Sequence, residues 1–469
     1  MSSILRSWPV QNAYKKFHFH FLSEKAPGNT LADLNFDTDI KSSLDKLKRH
    51  EWKPAEALHY GFLAFVILFV YVIFPVSFLL KTPILAAFVL CFLVPLTSQF
   101  FLYALPIFAW LALFFSASKI PVSWKPAISV KFLPAMETIL YGDNLLNVLA
   151  ETNNSILDIL AWLPYGIIHF SSPFVVALFI FLFAPPSSLR SFGFAFGYMN
   201  LAGVLIQLLF PAAPPWYKNL HGLEPANYSM DGSPGGLGRI DKIFGFDMYT
   251  STFENSPLVF GAFPSLHSGC AVMDVLFLCW LFPKFTAVWW SYAALLWWST
   301  MYLTHHYFID LIMGAVLSFM VFTYVKYTQL PVVDPLKFCR WLYTEVSLLD
   351  MDLCDPINSF VPLHQDLEDA PHSFYNPRSL STTDFEMTTM NRSREVLPTI
   401  LATSDELLRL SEEHLGPLED ADTDNSATNS VFDSERYEEE TQISLAPSTV
   451  SLADLATTKP KAIQGIGAR

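Results

Sequence analysis

Between residues 58 and 327 the chain alternates long apolar runs with short polar junctions. A helix needs about 20 apolar residues to cross a bilayer, and most of these runs are that long. Residues 58–80 form the first. Residues 82–118 carry no charge, and Pro83, Pro95 and Pro106 break them into either one long kinked helix or a tight helical hairpin. Residues 156–184, interrupted by Pro164 and Pro173 and carrying His169, hold one span or two. Residues 190–210 follow, with Gly193, Gly197 and Gly203 allowing close helix approach. Residues 264–282, 286–303 and 307–327 complete the set. The pattern predicts an all-α, polytopic membrane protein of six to eight spans.

The polar segments orient these spans. Residues 1–57 form an arm whose basic end, Lys46, Lys48, Arg49 and Lys53, adjoins the first span and predicts a cytosolic N-terminus. No cleavable signal peptide is recognised there, so the first span is expected to serve as the insertion signal. Residues 119–154 are a mixed connector, and residues 211–263 form a long Gly- and Pro-rich loop outside the membrane. The Pro283-Lys284 turn and Lys326, Lys337 and Arg340 should be cytosolic. The starts of the first and third of the last three spans then face the lumen. The membrane body is expected over residues 58–330, followed by a cytosolic tail over 331–469.

Composition agrees with this division: 52% of the 469 residues are hydrophobic and 15% charged, against about 25% charged in soluble domains. The net charge of −14 is local, because 23 acidic and 8 basic residues lie from Asp350 onward, against 20 and 21 before it. That tail is rich in Ser, Thr, Asp and Glu, has few aromatics, and should be mostly disordered. No basic patch with interleaved aromatics suggests nucleic acid. Cys91, Cys270, Cys279, Cys339 and Cys354 are too few and too scattered for a disulfide framework or a zinc site. Cys339 and Cys354 are candidate palmitoylation sites. Asn153 and Asn227 begin glycosylation sequons, and the sequon at Asn391 should be cytosolic and unused.

Candidate chemistry stands at the span margins, in Phe263-Pro264-Ser265-Leu266-His267-Ser268-Gly269 and Thr304-His305-His306-Tyr307-Phe308-Ile309-Asp310. Ionisable groups at membrane depth are costly and usually functional. His306 and Asp310 are four apart and share a helical face. The helical hairpin between the motifs should bring His267 back beside them. Phosphoryl transfer between lipids needs a nucleophile, a group that orients it, and an acid for the leaving oxygen. His306 suits the first role, Asp310 the second and His267 the third. A lone His169 or His59 is more simply a structural hydrogen-bonding residue. His305 points about 100° from His306 on a helix and is a candidate substrate contact. A facial iron triad would also use two histidines and a carboxylate. Membrane hydroxylases, however, cluster many more histidines, so no metal or other cofactor is expected.

At these residues the chain resembles the lipid phosphate phosphatase superfamily. Residues 264–268 resemble its Pro-Ser-Gly-His signature and residues 299–310 its Ser-Arg-x5-His-x3-Asp signature. The resemblance implies a six-helix core in which His306 is the nucleophile, Asp310 its partner and His267 the acid. Leu266 replaces the motif glycine, Thr300 stands where the arginine falls, and no Lys-x6-Arg-Pro element precedes the loop. A phosphodiester carries one negative charge where a phosphomonoester carries two, so the missing cations favour a diester donor and a transferase. Gly261 to Cys270, Tyr302 to Asp310 and Phe210-Pro211-Ala212-Ala213-Pro214-Pro215-Trp216 further resemble the fungal inositol phosphorylceramide synthases.

That resemblance implies transfer of inositol phosphate from phosphatidylinositol to the primary hydroxyl of ceramide or phytoceramide, with release of diacylglycerol. It also implies a Golgi membrane enzyme with a lumenal active site, both termini cytosolic and a small regulatory membrane subunit. The 211–263 loop would then recognise the head group. Arg239 and Lys242 are its candidate phosphate contacts, with Ser265 and His305 beside them. The amides of Ser233-Pro234-Gly235-Gly236-Leu237-Gly238 are a candidate anion cradle. A lipid phosphatase, a sphingomyelin-type synthase, and a transporter or membrane scaffold are the competing readings.

Overall fold

The computed structural model describes residues 8–142, 149 and 152–346, all within the first of two units into which the chain divides after Pro377. The acidic tail beyond residue 346, Cys354 and the Asn391 sequon lie outside the described residues. Among the described residues every regular element is helical, apart from two isolated β-bridges.

In the arm, α1 (Trp8–Phe17) and α2 (Ile40–Arg49) precede α3 (Pro54–Ile73). The chain breaks around Pro75, so the run expected over residues 58–80 ends seven residues early. Next come α4 (Phe78–Leu93), α5 (Pro95–Phe101) and α6 (Leu105–Ser116), with α4 and α5 bent by 100°. The uncharged stretch is therefore three helices. Pro95 and Pro106 sit in the first turn of α5 and α6, where a missing N–H costs nothing, while Pro83 is carried inside α4. The connector contains α7 (Phe132–Tyr141).

Residues 155–183 are one helical stretch: α8 (Ser155–Trp162) passes through a π-helical turn (Leu163–Ile168) into α9 (His169–Phe183). Pro164 lies in that turn, where its missing N–H is accommodated. After α10 (Ser188–Leu209), the long loop folds into α11 (Pro215–His221), α12 (Leu237–Phe244) and α13 (Met248–Glu254). The last three spans appear as α14 (Leu266–Leu281), α15 (Thr286–Tyr302) and α16 (Phe308–Thr328), within two residues of their expected ends.

By length and composition, α3, α8–α9, α10 and α16 can cross a membrane, and the α4–α5 pair makes a fifth span if taken as one. The expected six to eight is reached only by adding the shorter apolar helices α6 and α14. At ~1.5 Å per residue the 16-residue α14 is about 24 Å long, short of a hydrocarbon core of about 30 Å.

The bundle is built around α10 and α14. A Cβ at Gly193 would stand 2.7 Å from the Tyr103 carbonyl oxygen, and one at Gly197 2.6 Å from the Ile107 nitrogen, so these glycines let α10 press against α6. Helix α14 is enclosed by α9, α10, α15 and α16, with Val272, Met273 and Phe277 packed among Phe192, Phe196 and Phe322. At one end of the bundle Asn29 donates to the carbonyls of Trp341 and Tyr343, at 3.4 and 2.8 Å, and Phe17 and Phe21 pack on Trp341. Residues 338–343 follow α16, whose first turn carries Asp310. The arm thus gathers at the end of the bundle opposite the candidate site.

Candidate active site

Two helix starts and one helix end converge at that opposite end. Ser265 is fully buried and caps α14, its hydroxyl accepting from the Ser268 N–H at 3.3 Å. Its own N–H donates to the Asp310 carbonyl at 3.0 Å, tying the start of α14 to the start of α16. A Cβ on Gly314 would run into the Ser265 carbonyl oxygen, so the crossing closes only with glycine there. At the end of α15 the Thr300 carbonyl accepts from the N–H groups of His305 and His306, at 2.9 and 3.4 Å. Thr304 follows the helix end with φ of 61°, an unfavourable backbone for a β-branched residue and a sign of local strain. Its carbonyl accepts from the Trp216 N–H at 3.0 Å, which fixes the Pro-rich start of the loop to this turn.

This framework brings His267, His306 and Asp310 into line. His267 Nδ1 and His306 Nε2 are 2.9 Å apart, and His306 Nδ1 is 3.3 Å from Asp310 Oδ2. The second contact lacks the alignment of a hydrogen bond, leaving His306 Nδ1 and Asp310 Oδ1 without hydrogen-bond partners in this buried place. Asp310 Oδ2 also accepts from the Tyr307 N–H at 3.2 Å, so the carboxylate is held by its own helix start. A carboxylate facing Nδ1 favours the tautomer with its proton there. The lone pair of His306 is then at Nε2, directed toward His267. Helices α14 and α16 both present positive N-terminal ends to this point, a favourable setting for a phosphate.

Aromatic rings enclose the pair. Tyr165, from the π turn, stacks on His267 with centroids 4.8 Å apart and on His305 at 5.3 Å. His169 meets the His267 ring at 4.8 Å and leaves its Nδ1 unpartnered. The residue expected to be structural therefore stands against the candidate acid. Tyr165 was not singled out from the sequence, because its place depends on the π turn.

The other candidate contacts have different surroundings. His305 lies between Tyr165 and Phe253, with Nε2 3.0 Å from the Pro234 carbonyl. Since a carbonyl only accepts, His305 is the donor. Burial first, and then the neighbouring His306, lower its pKa to about 3, so the ring is neutral. Gly235 and Gly236 press on the same turn: a Cβ at either would stand 2.8 or 2.9 Å from Leu303 backbone atoms. The amides of Gly235, Gly236, Leu237 and Gly238 already donate to Ser233 Oγ, Leu303 O, Pro234 O and Gly235 O. The glycine segment is thus a close-packed brace with its amides occupied, which corrects the expectation of an anion cradle.

Arg239 is half-buried and donates from Nε to Asp158 Oδ1 at 2.9 Å, while Tyr302 donates to the same oxygen at 2.9 Å. Burial alone would lower the Arg239 pKa, but the Asp158 pairing outweighs it and raises the value. Lys242 is exposed on α12. Asp241 behind it accepts from the N–H groups of Tyr249 and Thr250, at 3.1 and 2.8 Å. Burial works against its charge, yet these bonds prevail and hold the carboxyl below its ordinary range. Asp158 was overlooked in the sequence, although a lone acid in an apolar run is itself a signal.

Parallel β-bridges from Ser129 to Ala212 and from Ala212 to Gly261 bind the connector, the loop start and the segment before α14 side by side. Among the described residues, no group of three or more His, Cys, Asp or Glu is arranged to hold a metal ion.

The helices converge two histidines and an aspartate at one end of the bundle, and residues 134–324 match the PAP2 superfamily. Over longer stretches the likeness becomes narrower. An inositol phosphorylceramide synthase of Candida albicans is 60% identical over 449 residues, covering 92% of this chain and 95% of that one. The inositol phosphorylceramide synthase catalytic subunit of Saccharomyces cerevisiae is 52% identical, covering 72% of this chain and 84% of its own. A phosphoinositol dihydroceramide synthase of Bacteroides thetaiotaomicron is 30% identical over 35% of this chain and 53% of its own. No solved structure matches. The chain belongs to the inositol phosphorylceramide synthase family, membrane transferases of sphingolipid biosynthesis.

Proposed function

We propose that this chain transfers inositol phosphate from phosphatidylinositol to the primary hydroxyl of ceramide or phytoceramide, releasing diacylglycerol. The observation that carries the mechanism is the line from His267 through His306 to Asp310, with an imidazole–imidazole separation of 2.9 Å. His306 Nε2 attacks phosphorus, the bond from phosphorus to the diacylglycerol oxygen breaks, and the His267 imidazolium gives that oxygen its proton. Neutral His267 then takes the proton of the ceramide hydroxyl, whose oxygen attacks phosphorus and displaces His306. Asp310 stabilises the cation that His306 becomes. Because nucleophile and leaving oxygen stand in line across phosphorus, the two imidazoles must part to admit the phosphodiester.

The histidine pair sits between the starts of α14 and α16, whose N-terminal ends supply partial positive charge where Thr300 cannot. Arg239, its charge shared with Asp158, and exposed Lys242 offer further donors for the approaching head group. Ser265 and His305 act through the framework, the first as a helix cap and the second as the clamp on Pro234. The chemistry so drawn uses no metal or cofactor. The active site faces the lumen of the Golgi and both termini the cytosol, a reading supported by the basic arm at the opposite end of the bundle. The Saccharomyces relative is named a catalytic subunit, which supports a separate regulatory membrane subunit here.

The test uses the purified full chain in mixed micelles with labelled ceramide and either phosphatidylinositol or phosphatidylcholine. An inositol-containing sphingolipid formed only with phosphatidylinositol, and absent from His306→Ala, is expected. Phosphate release from phosphatidic acid instead would place the chain with the phosphatases.

A further inference from the structure

Below the histidine pair the bundle holds a second polar group that the chemistry above leaves unused. Asp274 is buried to 1% exposure in α14, two turns beyond His267 on the same face. Its Oδ2 accepts from the Ser172 hydroxyl at 2.7 Å, and Ser172 Oγ is 3.2 Å from the Tyr292 hydroxyl. Asp274 Oδ1 has no hydrogen-bond partner. Three helices therefore bring an acid, a hydroxyl and a phenol together amid apolar side chains, at a cost that a purely structural core would avoid.

Ser172 on α9 and Tyr292 on α15 are each partly exposed, while Asp274 forms the floor behind them. Phe170, Phe174 and Val288 of the same two helices are exposed apolar residues, at 62%, 78% and 57%, as expected of helices that face lipid. Ser172 lies one helical turn beyond His169, whose ring meets that of His267. A turn advances ~5.4 Å, so the hydroxyl cluster begins one turn from the candidate acid, along the helix. A lipid arriving sideways with its terminal hydroxyl at the histidines would place its next polar groups near this cluster.

We propose that Ser172, Asp274 and Tyr292 form the acceptor-recognition site, binding the secondary hydroxyls on the third and fourth carbons of the sphingoid base. The assignment rests on the ceramide-acceptor reading. Asp274 accepts from one hydroxyl through its unpartnered oxygen, and Ser172 and Tyr292 exchange hydrogen bonds with the other. An acceptor lacking these hydroxyls leaves the polar groups unpaired, which is the strongest way for a site to reject an analogue.

The purified full chain would be given phosphatidylinositol with three acceptors of equal chain length: a 4-hydroxylated ceramide, a dihydroceramide and a 3-deoxy ceramide. The wild type should favour the most hydroxylated acceptor by about tenfold in kcat/KM for each hydroxyl, the value of one good hydrogen bond. Tyr292→Phe, which removes a single oxygen, and Ser172→Ala and Asp274→Asn should collapse that preference and leave the KM for phosphatidylinositol unchanged. Equal loss on all three acceptors, or an undiminished preference in Tyr292→Phe, overturns the proposal while the synthase reading stands. No transfer to any acceptor by the wild type overturns both.

Discussion

The backbone N–H of Ser265 donates to the carbonyl oxygen of Asp310 at 3.0 Å, so the chain two residues before the candidate acid His267 is fastened to the partner of the candidate nucleophile. This backbone contact helps to set the separation of His267 and His306. It depends on Gly314, because a Cβ there would meet the Ser265 carbonyl oxygen and stand 3.1 Å from the Gly269 nitrogen.

Gly314→Ala should therefore push α16 away from α14. Overpacking of this kind costs about 1–3 kcal/mol, and a displacement of 1 Å at a reacting pair costs about a hundredfold in rate. The expected outcome is a moderately less stable chain with a rate loss far beyond what the lost folded fraction explains. Thermal unfolding in detergent, set beside kcat on the same preparation, checks this. A rate loss that matches the unfolded fraction would mean that the crossing does not set the catalytic spacing.

Asp310→Asn keeps the volume of the side chain and removes its charge. The amide can donate to His306 Nδ1 and so favour the tautomer with its lone pair there, turning a proton toward the attacking side. A rate loss of about a thousandfold or more is expected, by analogy with carboxylate-to-amide changes beside catalytic histidines. With phosphatidylinositol alone, label from the head group should accumulate on the wild-type chain as an acid-labile, base-stable adduct. It should be absent in His306→Gln and scarce in Asp310→Asn. A stable adduct in His306→Gln would move the nucleophile elsewhere.

The carboxyl of Asp241 gives the loop a pH dependence of definite sign. Its folded pKa is depressed by the bonds from Thr250 and Tyr249. The group therefore favours folding at every pH above its unfolded value of about 3.9, and that contribution is lost as pH falls through the lower, folded value. Asp241→Asn should remove this acid-side loss and cost the loop about 1–3 kcal/mol near neutrality. Protease resistance of residues 237–254, followed from pH 7 down to 3, reads both effects. An unchanged acid profile in the variant would show that another group governs it.

What the sequence made legible and what it hid divide along physical lines. The i, i+4 spacing of His306 and Asp310 and the hairpin that returns His267 are local or nearly so, and the last three helices fall within two residues of their expected ends. The break at Pro75 was hidden because the apolar composition continues on both sides. Asp158 and Arg239 are 81 positions apart, and the bridges joining Ser129, Ala212 and Gly261 likewise link segments far apart in the chain. Nothing in the neighbourhood of either residue signals such a pairing. The glycines at 235 and 236 read as an anion cradle because the same flexibility serves both uses, and only the occupied amides separate them. Asp158 and Asp274 were legible in principle, as single acids in apolar runs.

His305 supplies a last test, since it stands beside His306 but is engaged with the loop. Its Nε2 donates to the Pro234 carbonyl, and its ring lies between Tyr165 and Phe253. His305→Phe would preserve the stacking and lose the donor, leaving the Pro234 carbonyl with only the Leu237 N–H, at a cost of about 0.5–1.5 kcal/mol. Its effect should fall on the loop, raising the KM for phosphatidylinositol by about tenfold while kcat changes little. Because burial holds its pKa near 3, His305 is neutral from pH 5 to 8. The variant should therefore keep the wild-type pH profile of kcat, whereas His267→Gln should abolish one limb of it. A shifted profile in His305→Phe would show that this ring also carries a proton in the reaction.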